Sequence, residues 1–135
     1  MSDRDEIAEL LSNYAWAMDA GDFEALHDIF AEDASFIIHI AGADSVGPIS
    51  PRQAIVDFIG GTVSDQQDQR RHVISNQRFE SRGDDEAVVT STLTLNVIEA
   101  GSLEVKSTGI YRADLVREAA GWRMRALEIS LDLPF

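Results

Sequence analysis

The sequence predicts an α+β domain in which three N-terminal helices pack on a strongly curved, mostly antiparallel sheet. Two observations carry this prediction. Apolar residues recur at helical spacing in three stretches of the first half of the chain, and the second half holds four long stretches rich in Val, Thr, Leu and Ile that short glycine-containing turns separate. Helices followed by hairpin-connected strands are typical of the α+β class. Helices that cross the open side of a curved sheet leave a cone-shaped cavity, so we expect an α+β barrel of this shape.

Length, charge and cysteine content restrict the possible classes of protein. The 135 residues are most simply one domain over 1–135, large enough to bury a core. The absence of cysteine excludes disulfides, thiolate catalysis and Cys-ligated metals. The net charge of −13 disfavours phosphate backbones, so we expect no nucleic-acid partner. No apolar stretch is long enough for a membrane span or a signal region, so we expect a cytoplasmic protein without a membrane partner.

The first helix ends at a carboxylate that can reach the core. Ser2 is a candidate N-cap, and Asp19 lies about 120° around the helix from Ile7, at the edge of the apolar stripe. Gly21 suits the end of this helix, and Asp22 suits the N-cap of the next. Trp16 lies opposite the stripe, which indicates a second packing surface or an interface. The stripe consists of Ile7, Leu10, Leu11, Tyr14, Ala17 and Met18.

The remaining elements follow from periodicity and turn residues. Ser50 and Pro51 predict the start of a third helix, with Ser50 as the N-cap, and Gly60 and Gly61 predict its end. A short second helix begins after Asp22. Strands are predicted for residues 34–40, 71–82, 86–98, 103–117 and 122–133, and loops for residues 41–47 and 62–69.

A set of local motifs recurs in a characteristic order along the chain: Tyr14, residues 19–23, Leu26, Phe30, residues 33–34, 47–48, 71–76, 109–111 and 121–122. In this order they resemble the SnoaL-like proteins of the nuclear-transport-factor-2-like (NTF2-like) superfamily. The resemblance covers nearly the whole chain. It implies a cone-shaped barrel with an apolar cavity and assembly into dimers or higher oligomers, so we expect a homodimer or homotrimer. The superfamily contains enzymes and non-enzymes, so the resemblance is specific for the fold rather than the reaction.

Within the superfamily, the chain resembles scytalone dehydratase and hexachlorocyclohexane dehydrochlorinase most closely. Those enzymes pair an Asp of the first helix with a His near the start of a strand, and the two positions fall on Asp19 and His72 here. The resemblance implies that the His removes a proton while the Asp orients and supports the imidazolium. Ketosteroid isomerase is also similar around Tyr14, which falls on its oxyanion-holding Tyr. Its base carboxylate would fall on Ile38, so that chemistry is not supported.

The sequence also departs from these relatives. The dehydrochlorinase uses a Lys on its first helix, whereas Lys106 is the only Lys of this chain. Scytalone dehydratase uses a second pocket His, for which His39 is the only other strand candidate. SnoaL-type cyclases use an acid on a late strand, and Glu128 or Asp132 could serve, although no motif selects between them.

A His paired with a carboxylate is a suitable general base, because the carboxylate selects the tautomer and stabilises the imidazolium. We therefore predict His72, Asp19 and Tyr14 as catalytic residues. Proton abstraction followed by loss of water or halide needs no cofactor, so none is expected. The three histidines lie on three elements without ligand-like spacing, so no metal site is expected. The predicted substrate-binding residues are Asn76, which strand alternation puts on the face of His72, together with Trp16, Phe36 and Phe58.

These residues leave several interpretations open. Asp19 could equally be a polar residue at a helix end, and His72 a hydrogen-bonded residue of the cavity wall. Tyr14 could be a core residue, and Trp16 an interface residue. The first functional hypothesis is a cofactor-independent lyase or isomerase, of dehydratase, dehydrohalogenase or cyclase type, acting on a small apolar cyclic molecule. The alternatives are a non-catalytic small-molecule-binding module and a structural small subunit of a ring-hydroxylating dioxygenase.

Overall fold

The computed structural model describes residues 2–135 and consists of three helices packed on one six-stranded sheet. The predicted fold class is confirmed. No helix within these residues has both the length and the apolarity needed to cross a membrane. In chain order the elements are α1 (Asp3–Ala20), α2 (Phe23–Ile29), β1 (Phe30–Ile40), β2 (Val46–Ile49), α3 (Arg52–Ser64), β3 (Gln69–Arg82), β4 (Glu86–Glu99), β5 (Ser102–Glu118) and β6 (Gly121–Leu131).

The sheet is curled but does not close. Its strand order is β2-β1-β6-β5-β4-β3, in which β1 and β6 are parallel and every other pair is antiparallel. Strands β2 and β3 are therefore the two edges. Helix α1 packs against β3 and β6, while α3 packs against β1, so the helices cover the concave side of the sheet.

The junction between α1 and α2 has the predicted chemistry. Gly21 ends α1 in the left-handed conformation at φ 67°, which glycine adopts without steric cost, and its N–H reaches back to the carbonyls of Ala17 and Met18. The Asp22 carboxylate then accepts from the Ala25 N–H at 3.0 Å and caps α2. This junction holds the last turn of α1, and with it Asp19, against the start of β3.

Four assignments of element ends predicted from the sequence are wrong. Strand β1 begins at Phe30 rather than at residue 34, because Phe30 and Ala31 are buried and Phe30 pairs with β6 ahead of an irregularity. The loop predicted for residues 41–47 ends before residue 46, because residues 46–49 form an edge strand, where proline is tolerated. Helix α3 continues through Gly60 and Gly61 to Ser64, because tertiary packing overrides glycine's poor helix propensity. Pro51 rather than Ser50 is its N-cap residue, and no side chain caps this end.

The core lies between the helices and the concave face of the sheet, where aromatic rings meet edge to face. The ring of Tyr14 lies 5.8 Å from that of Tyr111 and 6.2 Å from that of Phe30, and Phe30 lies 6.5 Å from Phe36. These rings join α1 to two strands, β1 and β5. Three of them, those of Tyr14, Phe36 and Tyr111, border the space in which a ligand could lie.

Candidate functional site

Asp19 and His72 meet at the open end of the cone. The Nδ1 atom of His72 lies 2.6 Å from Oδ1 of Asp19, and the His72 backbone N–H donates to both carboxylate oxygens at 3.0 and 3.2 Å. Their side chains are 9% and 12% exposed, respectively. The structure therefore brings together two residues that are 53 positions apart in the chain.

The position of β3 at the sheet edge explains this contact. Strand β3 pairs with β4 on one side only, and His72 lies opposite Leu95 there. The His72 N–H, which would otherwise lack a strand partner, donates to Asp19 instead. Because the ionised carboxylate only accepts hydrogen bonds, it assigns the ring proton to Nδ1 and leaves Nε2 as the basic nitrogen.

A mostly apolar cavity adjoins the His72 side chain. Its empty volume is about 560 Å³, including the part that opens to solvent. The predicted residues Tyr14, Phe36, Phe58 and His72 all line it. The other lining residues are Met18, Ile38, Ile59, Thr62, Val63, Gln66, Arg70, Leu93, Leu95, Tyr111, Ile129, Leu131 and Phe135. A cavity of this kind favours a small molecule with few polar groups.

Two tyrosines form the polar part of the cavity floor. Burial raises the pKa of the Tyr14 hydroxyl above its usual range, while a hydrogen bond with Tyr111 partly opposes that shift. Burial also raises the pKa of Tyr111, and the neighbouring Tyr14 and the charge of Asp19 add to this effect. Both tyrosines line the cavity, and a hydroxyl with a raised pKa stays protonated near neutral pH, so it can donate to an oxygen atom of a ligand.

Two predicted substrate-binding residues lie elsewhere. Trp16 is 74% exposed on the outer side of α1, as its place opposite the apolar stripe indicated, and it does not line the cavity within residues 2–135. Asn76 is exposed at φ 54°, where β3 gains one extra residue between Ser75 and Arg78. This bulge breaks the alternation that had placed Asn76 on the face of His72. Neither residue lies on the wall of this cavity, and Trp16 instead borders a separate open cleft together with His72.

The other candidate residues belong to the outer side of the sheet. His39 binds Ser45 through Nδ1 at 2.7 Å and Glu128 through Nε2 at 2.8 Å, and its side chain is 41% exposed. Asp132 accepts from the Thr108 hydroxyl at 2.6 Å. Within residues 2–135, neither His39 nor Glu128 nor Asp132 lines the cavity. None of them can therefore act on a ligand there together with His72.

A comparison with known protein families tests the resemblance to the SnoaL-like proteins. The model of the SnoaL-like domain matches residues 1–128 of the chain. The chain belongs to the SnoaL-like family. Among curated proteins no relative matches this SnoaL-like chain.

Solved structures share the fold at low sequence identity. A candidate aromatic ring hydroxylase from Novosphingobium aromaticivorans is 23% identical with a TM-score of 0.79, covering 98% of this chain and 90% of that one. A candidate dehydratase of the NTF2-like family from Streptomyces avermitilis is 18% identical with a TM-score of 0.79, covering 98% and 97%. The beta subunit of a candidate aromatic-ring-hydroxylating dioxygenase from N. aromaticivorans is 13% identical with a TM-score of 0.83, covering 97% and 90%. These likenesses establish the fold of the SnoaL-like chain.

Sequence reasoning missed three polar residues of the SnoaL-like cavity, namely Thr62, Gln66 and Arg70. Arg70 lines the cavity beside His72, and its side chain is only 12% exposed. Residues 70, 72 and 74 are all more buried than residues 69, 71 and 73, so they share the inward face of β3. Strand alternation from His72, the pattern that gave the prediction for Asn76, puts Arg70 on the same face and would have identified it.

Proposed function

We propose that this SnoaL-like protein is a cofactor-independent lyase or isomerase that removes a proton from a small, largely apolar ring compound. The observation that carries the proposal is the hydrogen-bonded pair of His72 and Asp19 at the wall of an apolar cavity. His72 is the base, Asp19 its partner and Tyr14 a donor to an oxygen of the substrate.

The geometry supports a specific sequence of proton movements. Nε2 of His72 accepts a proton from a carbon of the substrate, while Nδ1–H remains hydrogen-bonded to Asp19. The carboxylate stabilises the resulting imidazolium, and the apolar wall limits competition from water. The electron pair left on carbon expels a leaving group or moves onto a substrate oxygen, which the Tyr14 hydroxyl can stabilise. Return of the proton from Nε2 to another atom of the substrate completes an isomerisation, whereas in an elimination the proton passes from Nε2 to the departing group or to water.

The test measures proton abstraction itself and needs no knowledge of the natural substrate. We would follow exchange of the α-protons of 1-indanone for deuterium by NMR, with the wild type and His72→Ala. We expect His72→Ala to reduce the protein-dependent exchange rate about 10²- to 10⁴-fold, the usual contribution of a general base. The matched control is His27→Ala, because His27 lies on α2 beside Asp28 and outside the cavity.

Equal exchange by the wild type and His72→Ala would remove His72 from the mechanism. The same experiment addresses a second candidate function, a non-catalytic binding module, which the apolar lining of the cavity also favours. A binding module would give saturable binding of 1-indanone without any protein-dependent exchange. In that case the only effect of Asp19→Asn would be a lower affinity for 1-indanone.

We also propose that copies of the chain associate through the outer face of the sheet. Leu103 and Val105 on β5 are 69% and 62% exposed, and Ile98, opposite Leu103 on β4, is 42% exposed. Contiguous exposed apolar residues of this kind are typical of interaction sites. Because the patch itself is uncharged, a second copy of this acidic chain can meet it without placing like charges together.

A further inference from the structure

We infer that the ligand of the cavity carries a neutral hydrogen-bond acceptor, of the carbonyl type, that binds Arg70. The inference rests on the proposed function, because it concerns the same cavity and defines the class of molecule that enters it. It assigns to Arg70 the recognition of one substituent, whereas His72 acts on the ring or on the carbon beside it.

Two nitrogens of the Arg70 guanidinium bind Asp68, which fixes its position, and the third nitrogen has no protein partner within residues 2–135. Its Nε donates to Oδ1 of Asp68 at 2.9 Å and its Nη2 to Oδ2 at 3.3 Å. Both side chains are 12% exposed, and the Phe135 ring centre lies 5.7 Å from the guanidinium carbon. Within residues 2–135, Nη1 makes no hydrogen bond. A rigid donor at a cavity wall with no protein partner is suited to a ligand acceptor.

The spacing along β3 determines what can reach both residues. Arg70 and His72 are two residues apart on the same face of the strand, so their Cα atoms are separated by about 6.6 Å. A benzene ring with one substituent has about this length. One small molecule can therefore place an oxygen at Arg70 and a carbon acid at Nε2 of His72.

The local charge selects a neutral oxygen over a carboxylate. Asp68 already pairs with Arg70, and Asp19 already pairs with His72. A carboxylate of the ligand would therefore lose its hydration without meeting an uncompensated positive charge, which is unfavourable at low dielectric. A carbonyl oxygen accepts from Nη1 without this cost, so the ion pair with Asp68 converts Arg70 from an anion site into a donor for neutral ligands.

The experiment compares three probes of nearly equal shape, namely acetophenone, isopropylbenzene and benzoate. Dissociation constants come from NMR titration near neutral pH, where benzoate is ionised. We expect the wild type to bind acetophenone at least about tenfold more tightly than either other probe. Arg70→Met should abolish the preference over isopropylbenzene while leaving the affinity for isopropylbenzene unchanged.

Two further variants separate charge from shape. Asp68→Asn should raise the affinity for benzoate about tenfold, because it leaves the guanidinium charge uncompensated. Arg71→Met is the matched control, since Arg71 is the next residue and is exposed on the opposite face of β3, and it should change none of the three affinities. The double variant Arg70→Met with Asp68→Leu removes both partners of the ion pair and leaves no unpaired carboxylate, and it replaces Arg70→Met if the latter does not fold.

Several results would overturn the inference. They are an unchanged preference for acetophenone in Arg70→Met or its substitute, tightest binding of benzoate by the wild type, and no binding of any probe. None of these results would change the His72-dependent exchange of 1-indanone, which tests the proposed function separately. Conversely, if that exchange did not depend on His72, the order of the three affinities would stay the same.

Discussion

The substitution Asp19→Asn tests the proposed chemistry most directly, because it keeps the shape of the side chain and removes its charge. Asp19 accepts from two donors of His72, the ring Nδ1–H and the backbone N–H. One oxygen of Asp19, Oδ1, lies 2.6 Å from the ring Nδ1 and 3.0 Å from the backbone nitrogen, so the single carbonyl oxygen of asparagine can accept from both donors. Its NH₂ group then takes the place of Oδ2, and the 3.2 Å contact with the backbone N–H is lost. The neutral amide does not stabilise the imidazolium that forms when Nε2 takes a proton, so the substitution weakens the base.

The expected magnitudes follow from these contacts. Replacing hydrogen bonds to a buried charge by neutral ones costs about 1–3 kcal/mol of the free energy of unfolding. For a chain of this size, Tm would fall by about 3–12 °C. The rate of 1-indanone exchange should fall by about 10²- to 10⁴-fold at a temperature where the variant is fully folded. The double variant with His72→Ala should be no slower than His72→Ala alone, since the two residues act as one unit.

Thermal melting by circular dichroism and NMR exchange rates provide the two measurements. Asp132→Asn is the control, because Asp132 also accepts a hydrogen bond but lies outside the cavity lining. It should leave the exchange rate unchanged. Wild-type exchange by a folded Asp19→Asn protein would refute the reasoning, since the charge of the carboxylate would then have no part in stabilising the imidazolium.

Four further predictions concern the floor, the core and the outer face. Tyr14→Phe should keep the ring packing and slow 1-indanone exchange about 10²-fold by NMR, and an unchanged rate would exclude an oxyanion role. Folding raises the pKa of Tyr14 and Tyr111, so their contribution to stability is fully present below about pH 10 and is lost as the pH rises further. Urea unfolding should show this loss, and Tyr111→Phe should flatten it. Leu11→Ala in the fully buried stripe should cost about 2–5 kcal/mol by urea unfolding, and a smaller loss would indicate that the site collapses. Val105→Glu should yield monomers by light scattering if the outer face joins copies, whereas an unchanged mass would exclude this interface.

Local chemistry made much of the site predictable. The glycine and aspartate at positions 21 and 22 defined the helix junction, because their conformational and capping preferences act over a few residues. Motif resemblance then paired Asp19 with His72, and strand alternation placed His72 on an inward face. The same alternation failed at Asn76, because a bulge inserts one residue and reverses the face.

Long-range packing decided what these local patterns could not. Strand β2 lacks any clear sequence signal, since its Gly and Pro are turn residues that become a strand only by pairing with β1. The Gly pair of α3 likewise indicated an end to the helix, yet the helix continues where Gly60 packs close to the Phe23 ring. In both cases contacts with residues distant in the chain outweighed local propensity.

The sequence alone determined the α+β class, the order of the helices and long strands, and the identity of the carboxylate and the imidazole. Periodicity and capping are properties of neighbouring residues, so they can be read without coordinates. Only the tertiary structure decided that β3 is an edge strand whose free N–H binds Asp19, that His39 and Glu128 face outward, and that Asp68 neutralises Arg70 at the cavity. These outcomes depend on how the sheet curls and which strand ends beside which helix, and no stretch of neighbouring residues encodes that arrangement.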